Sequence, residues 1–385
     1  MTSASRTTIY MFTDWYAPGF KAGGPIQSVL NLAELLKTEA DIKIITRNTD
    51  YGSNEPYQNI KANEWVSIDG GHDVLYLSKD QVSYKQIKKL CKVSPEDVVI
   101  INGLFSFYFS ILPLFFAFLY NHSKTFVAVR GMLHRSALAV KPFKKQLFIA
   151  FSRGFGLFKK VTLLASSDFE KIEIEKSLGK MTIAVVPNIP VSPVSWQSLE
   201  SKTFKKNNIL TVLFLGRISP EKNPMALVKA LQTIKDNISV KFIGSGITIE
   251  YTNSFQEAIE KLPANVKIQW IKEMPHRDIL RNMSETDVMV LPSHGENFGH
   301  AIFESFANGV PVIIGNNTPW KDIDSQMAGI EIVPDDSAAI AAAIKQFMDM
   351  DNETYKLWQK GALQVADHYF ATNNFKQIYL DVLIK

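Results

Sequence analysis

An internal disulfide is excluded from this chain, because its 385 residues include a single cysteine, Cys91. The small secreted class held together by disulfides is therefore excluded, and a reducing compartment is favoured. The first residues, MTSASRTTIYMF, lack a basic segment followed by a long apolar run. We therefore expect no secretory signal and a cytoplasmic location.

Acidic residues are missing from one long internal stretch, residues 98–167. The same stretch contains nine basic residues among many Phe and Tyr: Lys124, Arg130, Arg135, Lys141, Lys144, Lys145, Arg153, Lys159 and Lys160. A basic, aromatic surface suits the anionic leaflet of a membrane, at about 1 kcal/mol per well-placed cation. Nucleic acid and plain solvent are the other common neighbours of such a patch. We predict peripheral contact with the inner face of the cell membrane and no nucleic-acid partner.

Residues 98–120 form one uncharged segment that is long enough to span a bilayer. Asn102-Gly103 follow a strand-like VVII, however, and Pro113 interrupts the rest of the segment. The segment therefore predicts a buried strand, a turn and an apolar helix rather than a membrane span.

Short apolar runs alternate with helical patterns along the rest of the chain. The predicted strands are 8–14, 41–47, 73–78, 97–102, 125–130, 161–166 and 182–187 in the first half, and 210–216, 239–244, 266–271, 287–292, 310–315 and 329–333 in the second. Most of them lack polar alternation, as expected for parallel strands covered on both faces. Two successive βαβ arrays predict an α/β protein with two Rossmann-like domains and parallel sheets.

A stretch rich in proline and serine marks the predicted domain boundary, with Pro187, Pro190 and Pro193 close together. We place an N-terminal, acceptor-binding domain at residues 1–190 and a C-terminal, donor-binding domain at 191–367. Residues 368–385 are expected to form a helix that packs back on the N-terminal domain. Ligands of open parallel sheets bind at the carboxyl ends of the strands, so the motifs at those ends decide the function.

The strongest motif is DVMVLPSHGENFGHAIFESFANGVPVI, residues 287–313. It predicts a strand, a loop that carries Glu296, and a helix that carries Glu304. The helix begins near Gly299, and the uncapped N–H groups of Gly299, His300 and Ala301 would attract an anion. Carboxylates for sugar hydroxyls beside amides for phosphate predict a nucleotide-sugar site.

A second motif, FLGRISPEKNP at residues 214–224, places two cations near a strand end and a helix start. Gly216 and Arg217 follow the strand, and Lys222 precedes the helix. Two such cations can hold a diphosphate through charge-assisted hydrogen bonds. A third motif, PGFKAGGPIQS at residues 18–28, places Gly23 and Gly24 after the first strand, where backbone can approach a ligand.

Together these segments resemble the family-4 glycosyltransferases of the GT-B fold, particularly bacterial enzymes of O-antigen and exopolysaccharide assembly. The resemblance covers nearly the whole chain. It rests on AGGPIQSVLNLA, VRGMLHRSAL, ASSDFEKIEI, VVPNIP, LGRISPEKNP, LPSHGENFGHAIFESFANGVPV and NNTPW. It implies a GT-B architecture whose two sheets face each other across a cleft, and a retaining hexosyltransferase that uses a nucleotide sugar.

The resemblance also implies roles for individual residues in the second half. Glu304 would bind the ribose hydroxyls, and Glu296 would face the hydroxyls of the donor sugar. Arg217 and Lys222 would neutralise the diphosphate leaving group. The sugar and phosphate would be lined by amides of Asn297, Phe298 and Gly299, with Gly216, His300 and Ala301 beside them.

In the first half, the resemblance implies that Gly23 and Gly24 close over the donor. Many relatives place a histidine or a basic residue of this half by the reacting centre. The segment VRGMLHRSAL offers both Arg130 and His134 for that position, and the choice between them stays open.

No metal cofactor is predicted, because cations and helix amides can stabilise the departing diphosphate. The expected co-substrates are a nucleotide sugar, with UDP as the default, and a glycan or polyprenyl-diphosphate-linked acceptor. The DxD-like triplet Asp322–Asp324 is interpreted as a chance occurrence, and His294 and His300 as polar lining. The alternatives left open are a nucleotide-sugar epimerase, a glycoside hydrolase using Glu296 and Glu304, and a basic membrane-surface protein without catalysis.

Overall fold

The computed structural model describes residues 6–68, 70–134, 137–138, 142–199 and 204–384. The chain divides into two compact units. The first unit contains Met1–Ile189 together with Asn373–Lys385, and the second contains Pro190–Thr372. Each unit has its own β-sheet and its own hydrophobic core.

The first unit is built on an eight-stranded sheet in the order β3-β4-β2-β1-β5-β6-β7-β8. Its strands are β1 Thr8–Phe12, β2 Asp41–Arg47, β3 Trp65–Ile68, β4 His72–Leu77, β5 Val98–Asn102, β6 Thr125–Ala128, β7 Thr162–Ala165 and β8 Ile183–Val185. All pairs are parallel except β3 with β4. The central strands consist of buried aliphatic residues, which explains why the sequence shows them as continuous apolar runs. β3 was not predicted, because this short edge strand is mostly exposed.

Helices cover both faces of this sheet. They are α1 Gly24–Leu36, α2 Tyr84–Leu90, α3 Leu112–Leu119, α4 Pro142–Phe155, α5 Asp168–Leu178 and, after the second unit, a C-terminal helix at Phe375–Leu383. The connections from β5 to β6, β6 to β7 and β7 to β8 step across the sheet in one direction, whereas β1 to β2 steps the opposite way. Because such crossovers are right-handed, α3, α4 and α5 share one face of the sheet and α1 lies on the other.

The uncharged segment 98–120 forms the predicted strand, turn and helix. β5 is followed by Gly103, whose φ of 107° suits glycine, then by a π-helical turn at Phe107–Ile111 and by α3. Within the described part of the chain, no helix combines the length and the apolar character needed to cross a membrane.

The last helix belongs to the first unit although the second unit precedes it in the chain. Its Phe375, Tyr379 and Leu383 are buried. The Tyr379 hydroxyl donates to the carbonyl of Pro187 at 3.1 Å, and Lys376 forms a 2.6 Å ion pair with Glu39.

The second unit is built on a six-stranded parallel sheet in the order β11-β10-β9-β12-β13-β14. Its strands are β9 Leu210–Leu215, β10 Ile238–Ile243, β11 Val266–Ile271, β12 Val288–Leu291, β13 Val312–Gly315 and β14 Gly329–Ile332. Its helices are α6 Pro224–Leu231, α7 Ile249–Glu260, α8 His276–Ser284, α9 His300–Ala307, α10 Ser337–Asp349 and α11 Asn352–Thr372, so that the C-terminal helix is α12. α6 ends at Leu231, and Thr233 then bonds back to the Ala230 carbonyl through both its amide and its hydroxyl.

The strand order of the second unit reverses between β9 and β12. From β9 the chain moves outward through β10 and β11, and from β12 it moves outward in the other direction. A reversal of this kind leaves a crevice at the carboxyl ends of the two central strands. The loops that follow β9 and β12 therefore decide what the second unit binds.

Candidate functional site

The loop after β9 carries the predicted phosphate-binding cations. Gly216 extends the sheet pairing by donating to the Ile243 carbonyl at 3.0 Å. Asn223 adopts a left-handed conformation, with φ of 53°, and the chain turns there into Pro224 and α6. Lys222 thus lies immediately before a helix, and its side-chain stem lies against Gly216.

Glu296 lies in the loop after β12 and faces Lys222. The Nζ of Lys222 lies 2.5 Å from Oε1 of Glu296, and the hydroxyl of Ser293 donates to the same oxygen at 2.8 Å. The side chains of Lys222 and Glu296 are 17% and 9% exposed. The backbone N–H of His294 donates to the Glu221 carbonyl at 2.9 Å, which joins the loop after β12 to the loop after β9. The structure therefore brings two predicted site residues, 74 positions apart in sequence, into one ion pair.

Arg217 lies at the more open side of the same loop. Its guanidinium contacts the Glu221 carboxylate at 3.5 Å, and both side chains are well exposed. An exposed pair of this kind is weak. Arg217 is thus available to exchange this contact for an anionic ligand.

Helix α9 follows the loop that carries Glu296, and its first residues lie beside that loop. Gly299 precedes it with φ of 76°, a conformation that favours glycine. Phe298 buries its ring against Phe303 and Trp320, and its carbonyl accepts a 2.6 Å bond from the Trp320 indole. Because its side chain faces the core, Phe298 can offer a ligand its backbone only. The amides at the start of α9 supply the positive end of the helix dipole.

Glu304 lies on α9 and is buried, and it is bonded to a histidine that the sequence analysis did not single out. The Nε2 of His276, the first residue of α8, lies 2.8 Å from Oε1 of Glu304. This hydrogen bond raises the pKa of the His276 imidazole above its ordinary value. A signal was present, since His276 follows β11 and the parallel strands end at one edge of the sheet.

Comparison with known proteins agrees with this geometry. Residues 197–364 match the family model for glycosyl transferases group 1. This match lies within the second unit. An uncharacterized 41.2 kDa protein in the cps region of Klebsiella pneumoniae is 26% identical over 304 residues, covering 76% of this chain and 78% of that protein. The predicted resemblance to GT-B glycosyltransferases is thereby confirmed.

Other relatives match part of the chain or its fold. The D-inositol 3-phosphate glycosyltransferase of Corynebacterium urealyticum is 27% identical over 43% of this chain and 41% of that protein. Among solved structures, Anabaena Alr3699/HepE in complex with UDP-glucose has a TM-score of 0.72 and 15% identity, covering 97% of this chain and 98% of that one. Sucrose-phosphate synthase from Thermosynechococcus elongatus has a TM-score of 0.70 and 16% identity, covering 98% and 97%. The predicted GT-B fold class is confirmed.

Two of the predicted site residues lie in the first unit at the start of α1. Gly23 precedes the helix with φ of 64°, and Gly24 is its first residue. The left-handed backbone explains the glycine at position 23, where a side chain would strain the turn even though no other atom lies close.

Arg130 and His134, the two alternatives for the reacting centre, have contacts within the first unit. Arg130 donates to Asn102 at 3.0 Å and to Asn188 at 2.6 Å, which ties together the ends of β5, β6 and β8. His134 lies 3.8 Å from Glu173, whose pKa is raised by burial and lowered less strongly by that histidine. These contacts give Arg130 a structural role whatever its part in the reaction.

The DxD-like triplet and His294 form contacts with other side chains and backbone groups. Asp324 accepts a hydrogen bond from the amide of Glu331 at 3.0 Å, and His294 lies 3.5 Å from Asp335. In the described ranges, no group of three or more His, Cys, Asp and Glu side chains could hold a metal ion. Arg135 and Lys141, two of the basic residues noted above, lie outside the described residues.

Proposed function

We propose that this glycosyltransferase transfers a hexose from a nucleotide diphosphate sugar to a glycan acceptor with retention of anomeric configuration. The observation that carries the proposal is the Lys222–Glu296 pair at the strand reversal, beside the start of α9. It sets a cation for phosphate next to a carboxylate for sugar hydroxyls. The group 1 family match of the same unit supports this interpretation.

The transfer reaction requires the protein to stabilise the charge that develops as the donor bond breaks. As the bond between the sugar C1 and the phosphate oxygen breaks, positive charge develops on the sugar and negative charge on the diphosphate. Lys222, Arg217 and the amides at the start of α9 would stabilise the diphosphate. Glu296 would hold sugar hydroxyls and Glu304 the ribose hydroxyls.

Retention follows if the acceptor hydroxyl attacks C1 on the face that the diphosphate leaves. The departing phosphate oxygen would take the proton of that hydroxyl as the new glycosidic bond forms. No enzyme nucleophile is then needed, and Glu296 stays a hydroxyl acceptor.

UDP is the nucleotide that we propose for the donor, since the Anabaena structure of the same fold holds UDP-glucose. We also propose that no metal is required, because Lys222 and Arg217 supply the positive charge. Turnover should persist in EDTA, and a loss that Mg²⁺ restores would contradict this part of the proposal.

For the acceptor, we propose a polyprenyl-diphosphate-linked glycan of surface polysaccharide or lipopolysaccharide assembly, met at the cytoplasmic face of the membrane. The relative from a cps region supports the polysaccharide context. A lipid-linked acceptor would make the protein a peripheral membrane enzyme.

A thermal-shift screen against nucleotide sugars tests the donor site directly. A donor present at about 100 times its Kd stabilises the native state by about 2.7 kcal/mol. We expect a UDP-sugar to raise the melting temperature of the wild type, and Lys222→Ala to reduce this shift and to lower turnover by about 10²-fold or more. Lys229→Ala, a change at an exposed lysine later in α6, is the control.

Product analysis distinguishes sugar transfer from donor epimerisation and from glycan hydrolysis. Transfer should release UDP and leave a glycoside of unchanged anomeric configuration. An epimerised donor, hydrolysis of a glycan without nucleotide, or the absence of a shift with every nucleotide sugar would each refute the proposal.

A further inference from the structure

Arg130 has an unusual backbone conformation just after β6. Its φ is 56° and that of the following Gly131 is 70°, so two consecutive residues adopt the left-handed conformation. Arginine rarely occurs there, because its Cβ is crowded in that conformation. A strained backbone of this kind persists only where the surrounding contacts hold it, and it is found most often at functional sites.

Glu170 holds the backbone of this turn. Its buried carboxylate accepts from the amide of Gly131, and the amide and the hydroxyl of Ser166 each donate to it at 2.7 Å. The turn after β6 is thereby tied to the loop after β7 and to the first turn of α5. Glu170 thus fixes the place from which the Arg130 side chain starts.

The guanidinium of Arg130 is held by neutral side chains. Its Nε donates to Asn102 at 3.0 Å, and its Nη1 donates to Asn188 at 2.6 Å. Within the described ranges, no carboxylate lies within the 4.0 Å of an ion pair with this guanidinium. Neutral acceptors orient a cation and leave its charge uncompensated, so that Arg130 can form a charge-assisted bond with an anion.

Tyr379 brings the C-terminal helix α12 into this network. Its side chain is 2% exposed, and its hydroxyl donates to the Pro187 carbonyl at 3.1 Å. Burial raises the pKa of Tyr379, and the charge and hydrogen bond of the neighbouring Arg130 oppose that shift. Since Asn188 follows Pro187, Tyr379 and Arg130 bond consecutive residues after β8. The two side chains also line one small cavity of about 10 Å³.

The position of Tyr379 is itself fixed by the helix that carries it. Phe375 and Leu383, about one turn before and after it, are buried in the first unit. Lys376 of the same helix forms the 2.6 Å ion pair with Glu39. A side chain whose own helix is anchored in this way can hold a neighbouring group in one orientation.

We propose that Tyr379 is a positioning residue, which holds the Arg130 guanidinium in the orientation in which it stabilises negative charge during sugar transfer. The inference rests on the proposed transferase function, and it selects Arg130 over His134 as the group of the first unit that acts in the reaction. Helix α12 then contributes to catalysis through Arg130, because a charge that is already oriented needs no rearrangement in the transition state.

Arginine-selective ¹⁵N labelling tests the positioning in the ligand-free protein. The chain contains eight arginines, so the Nε–H signals can be resolved, and that of Arg130 is assigned by its loss in Arg130→Met. The Nε–H of Arg130 donates to Asn102 and should exchange slowly with solvent in the wild type. In Tyr379→Phe, which keeps the ring in the core, we expect exchange to be about tenfold faster or more, because the guanidinium is less firmly held.

Tyr355→Phe is the matched control. Tyr355 is 1% exposed, and its hydroxyl donates to a backbone carbonyl, that of Asp287 in the second unit, at 2.7 Å. The substitution removes the same buried hydroxyl at a place without Arg130. It should leave the exchange of the Arg130 Nε–H at the wild-type rate.

Steady-state kinetics tests whether the positioning serves the reaction. Turnover is measured as UDP released from a UDP-sugar that raises the melting temperature of the wild type. Tyr379→Phe should lower kcat about tenfold or more and leave KM for the donor unchanged, because an interaction made only in the transition state lowers kcat and kcat/KM together. Tyr355→Phe should keep the wild-type kinetics.

A double substitution distinguishes positioning from a structural role. In Arg130→Met, adding Tyr379→Phe should change kcat by less than about twofold, because the hydroxyl acts through a guanidinium that is then absent. A tyrosine with a structural role alone would cost the same factor in both backgrounds, and that result would overturn the inference.

Two further outcomes would also decide the matter. Unchanged exchange of the Arg130 Nε–H in Tyr379→Phe, or kinetics of Tyr379→Phe equal to those of Tyr355→Phe, would overturn the inference. Faster exchange in Tyr379→Phe, in a protein whose wild type transfers no sugar, would refute the proposed transferase function while confirming that Tyr379 positions Arg130.

Discussion

Lys222→Met tests how much the Lys222–Glu296 pair contributes to stability and to catalysis. Methionine keeps the side-chain stem against Gly216 and removes the charge, so that Glu296 keeps the hydrogen bond from the Ser293 hydroxyl and loses its cation. Removing one partner of a fully buried ion pair costs about 3–5 kcal/mol. Because this pair is 17% and 9% exposed and Ser293 still donates, we expect about 2 kcal/mol.

Unfolding of the second unit followed by calorimetry or circular dichroism measures this cost. A domain of about 150–250 residues loses about 2–4 °C per kcal/mol, so Lys222→Met should lower the melting temperature by about 4–8 °C. Glu296→Gln in the same chain removes the unpaired carboxylate charge and should restore part of that loss. The coupling energy of the two substitutions should be about 1 kcal/mol or more, as for groups in direct contact.

Turnover should respond differently from stability. If Lys222 stabilises the departing diphosphate and Glu296 holds sugar hydroxyls, the double variant regains stability and stays at least as impaired as Lys222→Met alone. Additive effects on the melting temperature would refute the pairing. Recovery of turnover in the double variant would refute the catalytic roles.

Two further predictions concern residues with defined partners. Because Glu304 raises the pKa of His276, their bond contributes stability that is present below the ordinary histidine pKa of 6.5 and is lost as pH rises through the raised value. The difference in melting temperature between wild type and His276→Gln should therefore be largest in mildly acidic buffer and smaller in alkaline buffer. A difference that grows with pH would contradict the pairing. Arg130→Met removes the hydrogen bonds that Arg130 donates to Asn102 and Asn188 and should destabilise the first unit by about 2 kcal/mol in chemical denaturation. A large loss of turnover with unchanged stability would instead assign Arg130 to the reaction alone.

The sheets were predictable because their strands are buried on both faces. VVIIN of β5 and VMVL of β12 are apolar at nearly every position, so their sequence pattern does not depend on knowing their neighbours. β3 escaped prediction because its WVSI is exposed or half-buried along an edge, where burial imposes no pattern. The order of the strands and the place of the reversal follow from packing, which a single sequence does not display.

The site was predictable as a set of motifs and not as a set of contacts. Strand ends and helix starts follow from local sequence, which is why Arg217, Lys222 and Glu296 could be named in advance. The pairing of Lys222 with Glu296 depends on two loops far apart in sequence. His276 is bonded to Glu304, but its local sequence, EMPHRD, carries no periodicity that points to that residue.

The return of the last helix to the first unit bears on how the protein is made. Phe375, Tyr379 and Leu383 fill buried positions of a unit whose other strands and helices are synthesised before residue 189. A ribosome therefore has to translate the whole second unit before the first unit receives its final helix. Until then the first unit lacks the side chains of this helix in its core. A gene divided at the interdomain linker would place Tyr379 and the Pro187 carbonyl that it binds on separate chains.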